Sequence, residues 1–247
     1  MKVKLCGITS VEQMKELQVI GVDYAGIIFY EKSKRFAADK LKNQKSEIRN
    51  LKIKKVGVFV NAGINTILKA IEGYDLAAVQ LHGDETPVFC SALVDKTKVI
   101  KVFRITGTEN IDELVKPYQA ASDYFMFDTA PSNSPERGES TTKGPLLKKQ
   151  ENIRSSGSVQ WVIPPSGEPE GAYGGTGEKF DWNILQKHKI NKPFFLSGGI
   201  GLADVSRLKL FNHLHFNAVD VNSRFEIEPG LKDLNKVEQF VKQLKDG

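Results

Sequence analysis

Eight short apolar-rich runs recur along the chain at 3–8, 24–29, 55–60, 77–82, 99–104, 124–129, 193–200 and 216–222, with helical stretches between them. Each run is of strand length, and the stretches between carry helix starts and apolar spacing. Ser10 precedes Val11-Glu12-Gln13-Met14, with Met14, Leu17, Val19 and Ile20 expected to face inward, and Ile64 to Leu68 repeats the pattern with Ile71 following. Strict strand–helix alternation over eight units is the pattern of an α/β protein with a (β/α)8 TIM barrel; an open doubly wound sheet is the competing arrangement. The 247 residues suit one such domain spanning 1–247.

One connection breaks the economy of the others. Between the sixth strand and Tyr173 the chain runs through 130–172, poor in apolar side chains and rich in Pro, Gly and Ser. The usual βα loop is ~2 to 6 residues, so 130–172 is read as an insertion, expected to be flexible and to lie on the carboxyl face of the barrel. That is the face where barrels of this kind keep their chemistry.

The formal charge of +5 raises the question of nucleic acid. The lysines are scattered over helical faces with no basic arm or interleaved aromatics, which argues against it. The two cysteines, Cys6 and Cys90, offer neither a disulfide framework nor metal-ligand spacing. No run approaches the ~18 apolar residues of a membrane span, and the N-terminus lacks a signal-peptide core. The expectation is a cytoplasmic protein, monomer or homodimer, that engages a small molecule without a metal.

Strand side chains alternate, so Val3 and Leu5 face one way while Lys4 and Cys6 face the other. The same parity gives the barrel interior Gln80, His82, Arg104, Asp128, Ser197 and Asp220 near the carboxyl ends of their strands. Each has a plainer reading. Cys6 alone is a small buried apolar group, His82 a hydrogen-bonded structural histidine, and Asp128 and Asp220 partners of Lys4 and Arg104 in a polar layer. Cys90 is core filler. The glycines say more: Gly174-Gly175-Thr176-Gly177, Ser197-Gly198-Gly199 and Asn222-Ser223 let backbone amides approach an anion closely, and late loops of such barrels commonly hold a phosphate.

Several stretches resemble phosphoribosylanthranilate isomerases: K-L-C-G-I-T from Lys4, S-K-R-F from Ser33, V-G-V-F-V-N from Val56, V-Q-L-H-G-D-E from Val79, F-D-T from Phe127, Y-G-G-T-G from Tyr173, L-S-G-G-I from Leu196 and A-V-D-V-N-S from Ala218. They occur in order and cover the chain outside 130–172. The resemblance implies a (β/α)8 barrel of tryptophan biosynthesis that rearranges N-(5'-phosphoribosyl)anthranilate to 1-(2-carboxyphenylamino)-1-deoxyribulose 5-phosphate with no cofactor. It implies Cys6 as general base, Asp128 as general acid, Arg35 on the anthranilate carboxylate, Gly175, Gly177, Gly199 and Ser223 in the phosphate loops, and His82 and Asp220 lining the pocket. Lys4 or nearby amides are expected to lower the Cys6 pKa towards operating pH. Asn222-Ser223-Arg224 departs from the Ser-Ser-Gly of many relatives. The alternatives are an indole-glycerol-phosphate synthase, disfavoured because its chemistry leans on lysine and glutamates, and a non-catalytic phosphosugar- or flavin-binding barrel.

Overall fold

The computed structural model describes residues 1–130 and 179–246. The expected insertion beyond Ala130, with Gly175 and Gly177 just after it, therefore lies outside the described residues. Eight parallel strands close on themselves in chain order: β1 Lys2–Leu5, β2 Tyr24–Ile28, β3 Lys54–Phe59, β4 Leu76–Leu81, β5 Lys98–Ile105, β6 Tyr124–Thr129, β7 Phe194–Leu196 and β8 Phe216–Val221. Closure runs through the β1–β8 ladder, where Val3 is opposite Val219 and Lys4 opposite Asp220. The open doubly wound sheet is excluded.

Alternation sorts the side chains into two cores. Tyr24, Val56, Ala78, Ile100, Val102, Met126, Phe195 and Ala218 fill the barrel interior. Val3, Leu5, Ile27, Val79, Phe103, Phe127 and Val219 point outward beneath the helices. The first helix, α1 (Val11–Ile20), starts where the Ser10 hydroxyl accepts from the Gln13 N–H and stops at Gly21. Met14 and Leu17 are buried as expected, whereas Val19 is 82% exposed: its position on a 3.6-residue repeat falls opposite the buried stripe. Short helices α2 (Ala38–Leu41) and α3 (Lys45–Asn50) precede β3, α4 (Ile64–Tyr74) follows it, and α5 (Pro87–Ser91), α6 (Ile111–Val115), α7 (Asn183–Gln186) and α8 (Val205–Leu210) cover later strands. Helix α9 (Leu234–Lys245) buries Val237, Phe240, Val241 and Leu244. Among the described residues, no helix is long and apolar enough to cross a membrane.

Two strands end earlier than their sequence suggests. Strand β7 stops at Leu196, because Gly198 and Gly199 take φ of 96° and 61°, which a strand does not permit. Strand β1 stops at Leu5, although the Cys6 N–H still donates to the Val221 carbonyl at 2.9 Å and continues the ladder's spacing. A small antiparallel hairpin, β9 (Glu226–Glu228) with β10 (Leu231–Lys232), follows β8 and had no counterpart in the strand pattern.

Candidate active site

A cavity of about 400 Å³ opens at the carboxyl ends of the strands. Its lining includes Cys6 from the end of β1, Gln80 and His82 from β4 and its loop, Asp128 from β6, Ser197 after β7 and Asp220 from β8. Arg35 enters from the loop after β2, while Gly198 to Ile200 and Asn222 to Arg224 form a wall from the loops after β7 and β8. Ile28, Val58 and Val60 supply an apolar patch. The expected residues Cys6, Asp128, Arg35, His82, Asp220, Gly199 and Ser223 thus line one space. Arg104 does not line it: it stands opposite Asp128 in the β5–β6 ladder and pairs with Asp84 at 3.6 Å. Cys90 is fully buried in the outer core, as expected.

Lys4 is completely buried in the barrel centre, its Nζ 2.7 Å from Asp220 Oδ1. Burial pulls its pKa down, but Asp220 and the Cys6 sulfur more than reverse this, so the lysine stays above its ordinary value. On the other partner, burial raises the Asp220 carboxyl despite Lys4. The short contact favours the ionised pair, because an ammonium with no carboxylate at that depth has nothing to replace its water. Gly26 makes this arrangement possible: a Cβ there would lie 3.0 Å from Cys6 Sγ and 3.1 Å from Lys4 Nζ.

The expectation that Lys4 lowers the Cys6 pKa is corrected by the geometry. Burial pushes the Cys6 thiol up, and the downward pulls of Lys4 and Lys232 do not overcome it, Asp220 adding to the rise. A cation already paired with a carboxylate presents little net field to its neighbour. Sequence shows the lysine beside the cysteine; it does not show the dryness around both.

Asp128 enters the same cavity from β6, separated from Cys6's strand by β7 and β8 in the barrel order. Asp128 is 8% exposed. Its Oδ1 accepts from the Thr129 N–H at 3.0 Å, and its Oδ2 lies 3.3 Å from His82 Nε2. The Gln80 amide nitrogen lies 3.1 Å from His82 Nδ1; with that amide donating, Nδ1 accepts and a neutral ring carries its proton on Nε2, towards Asp128. Gln80 Oε1 is a buried acceptor with no partner among the described residues. The loop carrying His82 is fixed from below by Glu85, which accepts from the Asn61 and Gly83 N–H groups and pairs with buried Lys101 at 2.8 Å.

Sequence reasoning missed Glu226, which grips Arg35, and Lys232, which pairs with Glu226. Pro229-Gly230 between E-I-E and L-K was the available sign of a turn. Burial raises the Glu226 carboxyl, but bonds from Arg35, Lys232 and the Gly230 N–H override that and hold it at about 2. Its folded value is below the ordinary ~4.3, so its stabilisation is complete above about pH 4.3 and is lost as pH falls towards 2. Urea midpoints of wild type and Glu226→Gln are therefore expected to differ most near neutral pH and to converge on acidification. A gap that persists unchanged at the acid end would show that charge is not what Glu226 contributes.

The arrangement sets a thiol and a carboxyl facing one space, a guanidinium at one side, and glycine-rich backbone at another. That suits proton transfers on an anionic substrate held at two points. A profile of the N-(5'-phosphoribosyl)anthranilate (PRA) isomerase family matches residues 3–243. The N-(5'-phosphoribosyl)anthranilate isomerase of Parabacteroides distasonis is 35% identical, over 99% of this chain and 93% of its own length. That of Phocaeicola vulgatus is 32% identical over 99% and 98%. The crystal structure of phosphoribosyl anthranilate isomerase from Thermotoga maritima superposes over 100% of both chains with a TM-score of 0.73 at 27% identity. A further isomerase structure, in complex with reduced 1-(o-carboxyphenylamino)-1-deoxyribulose 5-phosphate, covers 100% of both with a TM-score of 0.70 at 25% identity. With the match running through every strand of the barrel and both sides of its cavity, the chain belongs to the N-(5'-phosphoribosyl)anthranilate isomerase family.

Proposed function

We propose that this cavity performs the family's reaction, the Amadori rearrangement of N-(5'-phosphoribosyl)anthranilate to 1-(2-carboxyphenylamino)-1-deoxyribulose 5-phosphate, with Asp128 as general acid and Cys6 as general base. The observation that carries the reading is that Cys6 and Asp128 line one cavity between Arg35 and the Gly199 and Ser223 loops. Arg35 is the anchor for the anthranilate carboxylate. Gly199 and Ser223 lie where the phosphate is held, and Gly175 and Gly177 are assigned to the same role from sequence. Gripping both ends fixes the sugar between acid and base.

Asp128 gives its proton to the furanose ring oxygen as the C1'–O bond breaks and the C1'–N iminium forms. Two donors, His82 Nε2–H and the Thr129 N–H, already face the carboxylate that this step leaves behind. Cys6 as thiolate then removes the C2' proton, whose electrons flow into the iminium to give an enolamine. Protonation at C1' and loss of the C2' hydroxyl proton complete the ketone. Burial works against the thiolate, so the step is carried by the fraction of enzyme in which Cys6 is already ionised, and the positive charge that ring opening creates on the substrate stabilises that thiolate and acidifies the C2' proton it removes.

The buried thiol has a consequence for pH. The competent enzyme needs Cys6 ionised and Asp128 protonated together, so kcat/KM is expected to be bell-shaped against pH, and the raised Cys6 pKa places the limb that belongs to the thiol above its ordinary value of ~8.5. A profile with no limb above that value would mean that the Lys4 charge outweighs burial. The reading as a whole is tested by turnover of freshly prepared substrate, followed by its anthranilate fluorescence. Saturable binding of the reduced product analogue without turnover would favour a phosphosugar-binding barrel instead.

A further inference from the structure

The hairpin after β8 contributes no proton-transfer group, yet it carries a buried charged pair up against the cavity. Lys232 is 2% exposed, and its Nζ donates to Asn222 Oδ1 and to Glu226 Oε1, each at 2.7 Å. Glu226 in turn grips Arg35: Nε lies 2.8 and 3.0 Å from its two oxygens, and Nη2 lies 2.6 Å from Oε2. The hairpin is itself tied to the start of the barrel, where Thr9 Oγ1 and Gln13 Nε2 donate to the Gly230 carbonyl and the Lys232 N–H donates to Gln13 Oε1. Gly7, at φ +75°, leaves the groove in which this assembly lies: a Cβ there would stand 2.7 Å from Arg35 Cδ and 3.0 Å from Asn222 Oδ1.

A guanidinium has two edges that can take a carboxylate, the side edge of Nε with Nη2 and the end edge of Nη1 with the second hydrogen of Nη2. Glu226 fills the side edge. Lys232 balances the carboxylate, so the trio Arg35, Glu226 and Lys232 keeps a net charge of +1, concentrated on the guanidinium that lines the cavity.

Resting on the reading of Arg35 as the carboxylate anchor, we propose that Glu226 is a positioning residue: it occupies the side edge of Arg35 and so presents the end edge to the substrate's aromatic carboxylate, with Lys232 as its support. Glu226 touches no reacting atom. Its loss is a loss of aim, which shows in KM and not in kcat. The free Arg35 side chain would otherwise lose rotamer freedom on each binding event, which weakens the contact.

The experiment compares Arg35→Ala, Glu226→Gln, the doubly substituted Glu226→Gln/Lys232→Met and the doubly substituted Arg35→Ala/Glu226→Gln. Removing Lys232 together with Glu226 keeps the local charge at +1, so that variant does not leave two cations facing each other. Glu226→Gln and Glu226→Gln/Lys232→Met are each expected to raise KM about tenfold with kcat changed by less than about threefold. In the Arg35→Ala background, Glu226→Gln is expected to add nothing, because it acts through Arg35. In 15N-labelled wild type, which depends on no variant folding, titration with the reduced product analogue is expected to shift the Arg35 Nη signals and leave Nε–H in place. An unchanged KM in both Glu226 variants, while Arg35→Ala raises it, overturns the proposal and leaves Arg35 as the anchor. So does displacement of the Nε–H signal by the analogue. An unchanged KM in Arg35→Ala overturns the reading of Arg35 itself.

Discussion

Cys6→Ser and Asp128→Asn are each expected to lower kcat by about 10² to 10⁴-fold while the reduced product analogue binds as it does to wild type. Serine is close to cysteine in volume, so the packing against Gly26 and Lys4 survives. What disappears is an acidic hydrogen: a hydroxyl does not ionise in the pH range of the enzyme, and no neighbouring histidine stands on the Cys6 side to activate it, since His82 lies against Asp128. Asparagine at 128 can still accept from the Thr129 N–H, but it has no proton to give the ring oxygen. Both variants leave Arg35, Gly199 and Ser223 intact, so binding and turnover separate. Equal losses in analogue affinity and kcat would show that Cys6 or Asp128 is an anchor instead. Near-wild-type turnover in Cys6→Ser would remove it as the base.

Lys4→Met carries the largest expected cost to the fold. It strands the Asp220 carboxylate in the barrel centre, and breaking one side of a buried pair typically costs about 3–5 kcal/mol. Asp220 can relieve part of that by taking a proton. Its folded pKa, already raised by burial, rises further, so the folded state binds more protons than the unfolded one above about pH 4. Stability of the variant therefore falls as pH rises, and the gap to wild type in urea midpoint is expected to be smallest near pH 4 and to widen towards neutrality. Lys4→Met/Asp220→Leu, which removes both charges, is expected to recover most of the loss. A gap below about 1 kcal/mol at pH 7 in Lys4→Met would mean that Asp220 is neutral in the native protein.

The strand plan was legible because parity is a local property. Lys4 with Cys6, Gln80 with His82, Asp128 and Asp220 all took the inner face that a period of two assigns them. Gly198 and Gly199 were read as a candidate anion loop from their letters alone; what the structure adds is that their positive φ angles cut β7 short, and an apolar run gives no sign of where its backbone turns. The partnership of Arg35 with Glu226 spans 191 positions in sequence and joins the second strand's loop to a hairpin after the eighth, so no spacing rule foretells it. The direction of the Cys6 shift depended on a balance between burial and a paired lysine. Sequence names the charges in that balance, and only packing decides the desolvation.

The most direct test is a progress curve of the purified protein on freshly generated N-(5'-phosphoribosyl)anthranilate, with no cofactor or metal added, beside the same curve for the Cys6→Ser/Asp128→Asn protein. Saturable loss of anthranilate fluorescence is expected in the wild type, with formation of the 1-deoxyribulose 5-phosphate product, and a rate indistinguishable from the uncatalysed decay is expected in the doubly substituted protein. Equal rates in the two proteins, whether both fast or both at background, would contradict the assignment of this cavity as the isomerase site.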